Sequence, residues 1–236
     1  MTISDWVLIG TTLLLAAVAI WGDKIKQILY PPKIKVTFDE ISPYCHKTFY
    51  RSLPVPNTEV DINEPVFFFR FKVENVGSAK IKNCEAKLDQ IWVYDSAGKP
   101  NKLHGWNDIT LVWAGGRPKV IDLDPYRKGF CNIGHVASKA YQEKVESRFL
   151  IDVPGRHDQS LRFLFEQAEF PHSQPNCLVP GKYAIKVILY CENLPPKELW
   201  FQIAWSGKWQ DTETEMFREL AINQITSLEP SLKRGL

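Results

Sequence analysis

The sequence predicts a mainly β protein: a single N-terminal transmembrane helix, then an elaborated antiparallel β-sandwich with a short C-terminal helix. Three observations predict it. Residues 6–22 carry no charge. From residue 33 onward, apolar residues recur with a period of two over about ten short runs separated by turn residues. Those runs do not alternate with helical patterns, which excludes a parallel sheet wrapped in helices. At 236 residues, 44% of them hydrophobic and 24% charged, the chain is too apolar for a disordered protein and long enough to bury a core.

The segment from Ile3 to Trp21 reads as a membrane anchor, with Trp6 and Trp21 at its ends where indole rings favour the headgroup level. Its charge-free stretch is slightly short of the roughly 20 residues a crossing needs. Two other readings exist. Ala17-Val18-Ala19 has the small-x-small form of a signal cleavage site, but the residues before the apolar stretch hold Asp5 and no base, the reverse of a signal peptide. A buried core helix is the other alternative. Lys24, Lys26, Lys33 and Lys35 follow the segment, so the bias of basic residues toward the cytoplasm places the N-terminus outside and the large domain on the cytoplasmic side of the cell membrane. Ile25, Ile28 and Leu29 extend the helix along the membrane surface, Lys24 and Lys26 facing the headgroups. Pro31-Pro32 ends it. The expected layout is an anchor and juxtamembrane helix over 1–32, a sandwich over 33–225 and a tail over 226–236.

In the sandwich, Ile34, Val36 and Phe38 alternate with polar residues. The clearest strand lies in 65–77, where Phe67, Phe69, Phe71 and Val73 point one way and Phe68, Arg70, Lys72 and Glu74 the other. Asn75-Val76-Gly77-Ser78 is a turn. Cys84, Ala86 and Leu88 alternate again, and Ile91 and Val93 resume on a shifted phase, which signals a bulge. Further strands are expected at 109–113, 119–123, 128–133, 148–153, 161–166, 181–191 and 198–205. Residues 138–147 suit a short surface helix or a loop. Thr212 and Glu215 form a capping box for a helix over 212–222 with Met216, Phe217 and Leu220 as its apolar stripe. Residues 42–64 read as the longest loop.

Val73-Glu74-Asn75-Val76-Gly77, followed by Ala79 and Cys84, resembles the hairpin of CARDB-like immunoglobulin-fold domains. Pro180-Gly181-Lys182-Tyr183-Ala184-Ile185-Lys186-Val187 resembles the late strand entry of the same class. The layout as a whole is similar to uncharacterised single-pass membrane proteins of bacteria with such a domain. The resemblance implies an immunoglobulin-like sandwich with a binding or assembly role rather than catalysis.

Charge and chemistry agree with that expectation. Residues 36–236 hold 25 bases and 25 acids, which leaves no electrostatic footprint for nucleic acid. Nucleotide-loop, hydrolase-elbow and zincin motifs are absent, and no cofactor is expected. Five cysteines without a Cys-x-x-Cys pair look like reduced thiols filling a core. Cys45-His46, Cys131 with His135, and His172 with Cys177 are the metal candidates. Cys131 and His135 share a strand face on an unbroken strand but lie about 13 Å apart unless Gly134 bends the chain. A Cys–His nucleophile would use the same residues. Asp122/Asp124 and Glu213/Glu215 read as solvated or helix-capping acids.

The tryptophans carry the strongest binding signal. Phe201, Ile203 and Trp205 share one face of the 198–205 strand, and Trp200 shares the other with Gln202 and Ala204. Trp200, Trp209 and Trp106 are therefore the candidate binding residues, and Trp6, Trp21, Lys24 and Lys26 the candidate membrane contacts. The leading expectation is a non-enzymatic, membrane-tethered module binding a protein partner, the bilayer or itself. One alternative is an envelope-facing domain for carbohydrate or a small ligand. Another is a self-assembling, membrane-perturbing effector packing through Gly10 and Ala16–Ala19.

Overall fold

A computed structural model describes residues 2–29, 31–51, 63–146, 150–152, 160–169 and 175–228. It is a mainly β structure of two antiparallel sheets facing one core, with three helices among the described residues.

Helix α1 (Ile3–Leu29) runs 27 residues, including the expected extension toward Pro31. Thr11 Oγ1 donates to Val7 O at 2.9 Å and Thr12 Oγ1 to Leu8 O at 2.7 Å, so both hydroxyls are satisfied inside the helix. Leu8, Leu13, Leu14 and Leu15 are each about two-thirds exposed, and no α1 side chain belongs to the described core. That removes the core-helix reading. The expected transmembrane span needs correction, because among the described residues no helix is long and apolar enough to cross a membrane. The charge-free stretch between Asp5 and Asp23 is 17 residues, about 25 Å of helix against about 30 Å of hydrocarbon.

The first sheet runs β1 (Ile34–Thr37), β3 (Asn63–Asn75), β8 (Lys128–Ala137), β9 (Phe163–Phe165) and β10 (Cys177–Leu178), with β2 (Cys45–Arg51) sharing the β1 edge of β3. The second runs β13 (Leu220–Ile225), β12 (Leu194–Trp205), β11 (Gly181–Cys191) and β4 (Ile81–Tyr94). The far edge of β4 pairs in turn with β5 (Pro100–Lys102), β6 (Ile109–Thr110) and β7 (Val120–Leu123). Helices α2 (Lys139–Lys144) and α3 (Glu213–Glu219) complete the fold.

The inward row of β3 is buried as its alternation predicts. Phe71 stacks on Phe201 of the opposite sheet at 5.7 Å, and Phe69 meets Phe163 edge-on at 5.9 Å. Such large rings, excluded from water on both sides, supply the main driving force for closing the two sheets.

Several local expectations change. β2 lies within the expected loop 42–64; its inward positions include Lys47, which breaks the apolar alternation while its Nζ donates to Asp211 O at 2.6 Å. Residues 52–62 of that loop lie outside the described residues. The C-terminal helix ends at Glu219, not 222, because Leu220–Ile225 pairs with β12 and buries Leu220 and Ile222. The tertiary hydrogen bonds override the helical period. Thr212 caps α3 as expected, accepting from Glu215 N at 3.3 Å. At 148–153 only 150–152 are described, with a single bridge from Asp152 to Cys177.

One turn joins these parts. Asn75 is fully buried; its Nδ2 donates to Ala79 O at 2.8 Å and Leu123 O at 3.0 Å, and its Oδ1 accepts from Gly77 N at 3.0 Å. A Cβ on Gly77 would sit 2.4 Å from Lys33 N and 2.5 Å from Pro31 O, so only glycine lets the chain leaving α1 lie against the turn. Asn75→Asp keeps the shape but aims carboxylate oxygen at two carbonyls. It is expected to cost about 3 kcal/mol, read as a lower urea midpoint with an unchanged slope.

Candidate functional site

The candidate site is the outer face of the second sheet. β4 carries the expected bulge: Leu88 pairs with Val187 and Gln90 with Lys186, leaving Asp89 as the extra residue. Cys84, Ala86 and Leu88 point inward before it and Ile91 after it, so Gln90, Trp92 and Tyr94 point outward. Two rows then cross the face. Gln90, Lys186, Trp200 and Ile225 form one; Trp92, Ala184, Gln202 and Asn223 form the other.

Trp92 and Trp200 are half-buried in adjacent rows, two strands apart, about 12 Å between Cα positions. Ala184 lies fully buried between its register partners Trp92 and Gln202. Lys186 Nζ sits 5.9 Å from the centre of the Trp200 ring, 2.6 Å from Glu198 Oε1 and 3.7 Å from Asp89 Oδ2. Trp92 Nε1 donates to Gln90 Oε1 at 3.2 Å. Burial raises the Tyr94 phenol above its ordinary pKa, partly offset by its hydrogen bond with Gln202. The result is two rigid indoles flanking a polar strip of amides and one lysine. It suits recognition of a flat, amphipathic surface.

The sequence-predicted tryptophans divide. Trp200 lies on this face and Trp205 in the core, as the strand alternation requires. Trp106 packs against the core and Phe165, its Nε1 donating to Leu88 O at 3.3 Å. Trp209 packs edge-on to Phe67 at 5.1 Å, its Nε1 donating to Asp211 Oδ1 at 3.0 Å. Neither shares the face with Trp200; its aromatic companion is Trp92. The phase shift after Leu88 was the signal that could have found it. Trp6 and Trp21 are more than half exposed on α1. The side chains of Lys24 and Lys26 lie outside the described residues.

The other chemistry resolves into structure. A bulge in β8 between Asn132 and Gly134 turns Cys131 inward and His135 outward, so their even spacing does not bring them together. Cys45 and His46 point to opposite faces of β2, and His172 lies outside the described residues. Among the described residues no group of His, Cys, Asp and Glu could hold a metal ion. Asp122 accepts from Asn83 N at 2.9 Å and pairs with Lys80 at 2.9 Å; Glu213 accepts from Lys47 N at 2.8 Å.

His135 instead joins a chain of alternating charge that sequence reasoning missed. Its Nδ1 lies 2.6 Å from Glu166 Oε1 and its Nε2 2.7 Å from Glu146 Oε1. Arg117, displayed by three successive left-handed residues (Gly115, Gly116 and itself), reaches Glu166 Oε2 at 2.8 Å. The two carboxylates hold opposite ring nitrogens and so cannot converge on one ion. A carboxylate oxygen faces each ring nitrogen, which favours the protonated ring. Gln142 adds a two-way clasp, donating to Arg162 O at 2.7 Å and accepting from Arg162 N at 3.0 Å. Together these bonds pin α2 and Glu146 to the outer face of the first sheet.

No family model, curated protein or solved structure matches the chain.

Burial alone would lower the pKa of His135, but the Glu166 charge and the hydrogen bonds to Glu146 and Glu166 outweigh it and raise the pKa to about 9. The folded value exceeds the unfolded one, so this stabilisation is complete below about pH 6.5 and disappears as pH rises through about 9. Chemical denaturation across that window is expected to show a loss of up to about 3 kcal/mol. His135→Gln is expected to be less stable at pH 6 and flat across the window.

Proposed function

We propose that the protein is a non-enzymatic binding module held at a membrane by α1 and presenting the Trp92–Trp200 face to a protein partner. The observation that carries this reading is the aromatic pair itself. Two indoles project from a sheet face whose opposite side already supplies the core, so core packing does not explain them. Trp is the residue type most enriched among energetically dominant contacts, and Lys186 with Glu198 provides a charged rim. The exposed leucines of α1 and its internally satisfied threonines support an apolar surrounding for that helix. Lys24, Lys26, Lys33 and Lys35 favour the anionic cytoplasmic leaflet, and with it the cytoplasmic side for the sandwich. Confinement to the membrane raises the local concentration of the module toward membrane-bound partners. The CARDB-like hairpin motif supports the same binding role.

A carbohydrate ligand is the second reading, favoured by the spacing of the two indoles and the amides of Gln90 and Gln202 beside them. It places the sandwich on the envelope side.

The test uses the full chain in its native membranes with a photo-reactive residue in place of Asn223, in the same row as Trp92. A discrete protein adduct is expected, reduced about tenfold or more by Trp92→Ala or Trp200→Ala, with thermal midpoints shifted by only a few degrees. The absence of an adduct together with a Trp-dependent signal on a glycan array would replace this reading with the carbohydrate one. Leu13→Glu combined with Leu14→Glu is expected to abolish flotation with lipid vesicles.

A further inference from the structure

Glu85 of β4 faces Tyr190 of β11, so the next step of the antiparallel register brings Cys84 opposite Cys191. Both point toward the core, Cys84 in line with Ala86 and Leu88, Cys191 in line with Val187 and Leu189. Their Sγ atoms are 3.1 Å apart, and both are free thiols. We propose that Cys84 and Cys191 form a reversible dithiol–disulfide pair, oxidised by a low-molecular-weight disulfide of the glutathione type, that locks β4 to the start of the β11–β12 turn.

The geometry suits the bond. Facing residues of an antiparallel pair hold their Cα atoms about 4.5–5.5 Å apart, within the range a disulfide bridges. Closing the sulfurs to about 2.05 Å needs side-chain rotation and no movement of the strands. Access differs between the two. Cys84 is fully buried, whereas Cys191 is half-buried at the edge of the turn formed by Glu192 and Asn193. The hydrogen bond from Cys84 lowers the pKa of Cys191, and the same bond, with burial, raises that of Cys84.

The steps follow. Cys191 thiolate attacks one sulfur of the reagent disulfide, forming a mixed disulfide and expelling one thiolate. Cys84 then gives up its proton to that thiolate and attacks Cys191 Sγ, expelling the second. Two electrons and two protons pass from the cysteine pair to the reagent, which leaves as two thiols. Cys45, Cys131 and Cys177 take no part: each is buried at 0% exposure, and burial raises the pKa of each.

The test is a thiol count on the purified full chain after equilibration with glutathione disulfide, unfolding and maleimide labelling. Three labels in place of five, a mass lower by two hydrogens, and one cross-linked peptide pair containing Cys84 and Cys191 are expected. A higher thermal midpoint than the dithiothreitol-reduced protein should accompany them. Cys84→Ala should leave a glutathione adduct on Cys191, and Cys191→Ser should leave Cys84 unmodified. Five labels after oxidation, a link between any other pair, or a stable adduct on Cys191 in the unaltered protein would overturn the proposal.

Discussion

The buried amide of Asn75 is the contact on which the arrangement of the chain depends. Its side chain donates across to Leu123 at the end of β7 and down to Ala79 in the turn before β4, and so ties a strand of the first sheet to the second. Its backbone carbonyl and N–H are also used, by Tyr126 and Arg127. Every polar atom of a fully buried residue is thereby satisfied, which makes the turn rigid instead of costly. Val76 N donates to Lys33 O at 2.8 Å, and Gly77 admits the backbone of Pro31–Lys33, so the same turn fixes where the chain from α1 enters the domain.

From that fixed corner, two bulges decide which side chains face outward. Asp89 in β4 reverses the phase of the strand and sends Trp92 to the outer face beside Trp200. The irregularity at Ile133 in β8 does the same for His135, moving it from the Cys131 side to the side where Glu146 and Glu166 wait. A one-residue insertion is enough because side chains alternate strictly along a strand. One bulge builds the Trp92–Trp200 face; the other builds an internal charge chain.

That charge chain has a price in desolvation that only its completeness offsets. Glu146, His135, Glu166 and Arg117 alternate in sign, and the last of them is half exposed, so the buried members end in a solvated group. It anchors a helix of only six residues, α2, which has too few turns to persist by itself. Around Phe68 and His135 the outer face of the first sheet is thereby covered, while that of the second presents its indoles.

Much of this was legible in local pattern. The alternation of β3 named its buried row, the 198–205 strand separated Trp200 from Trp205, the phase shift after Leu88 announced the bulge, and Thr212 with Glu215 announced the start of α3. Each of those signals acts between residues a few positions apart, where backbone geometry alone relates the side chains. What the tertiary structure decided lies across the sheets: Trp92 as the companion of Trp200, the two glutamates on His135, the strand 220–225 in place of a helix end, and Cys84 opposite Cys191. These pairings join positions up to 108 residues apart, and the registers of whole strands set them. No spacing along the chain records a register, because it arises only when complete faces are buried together.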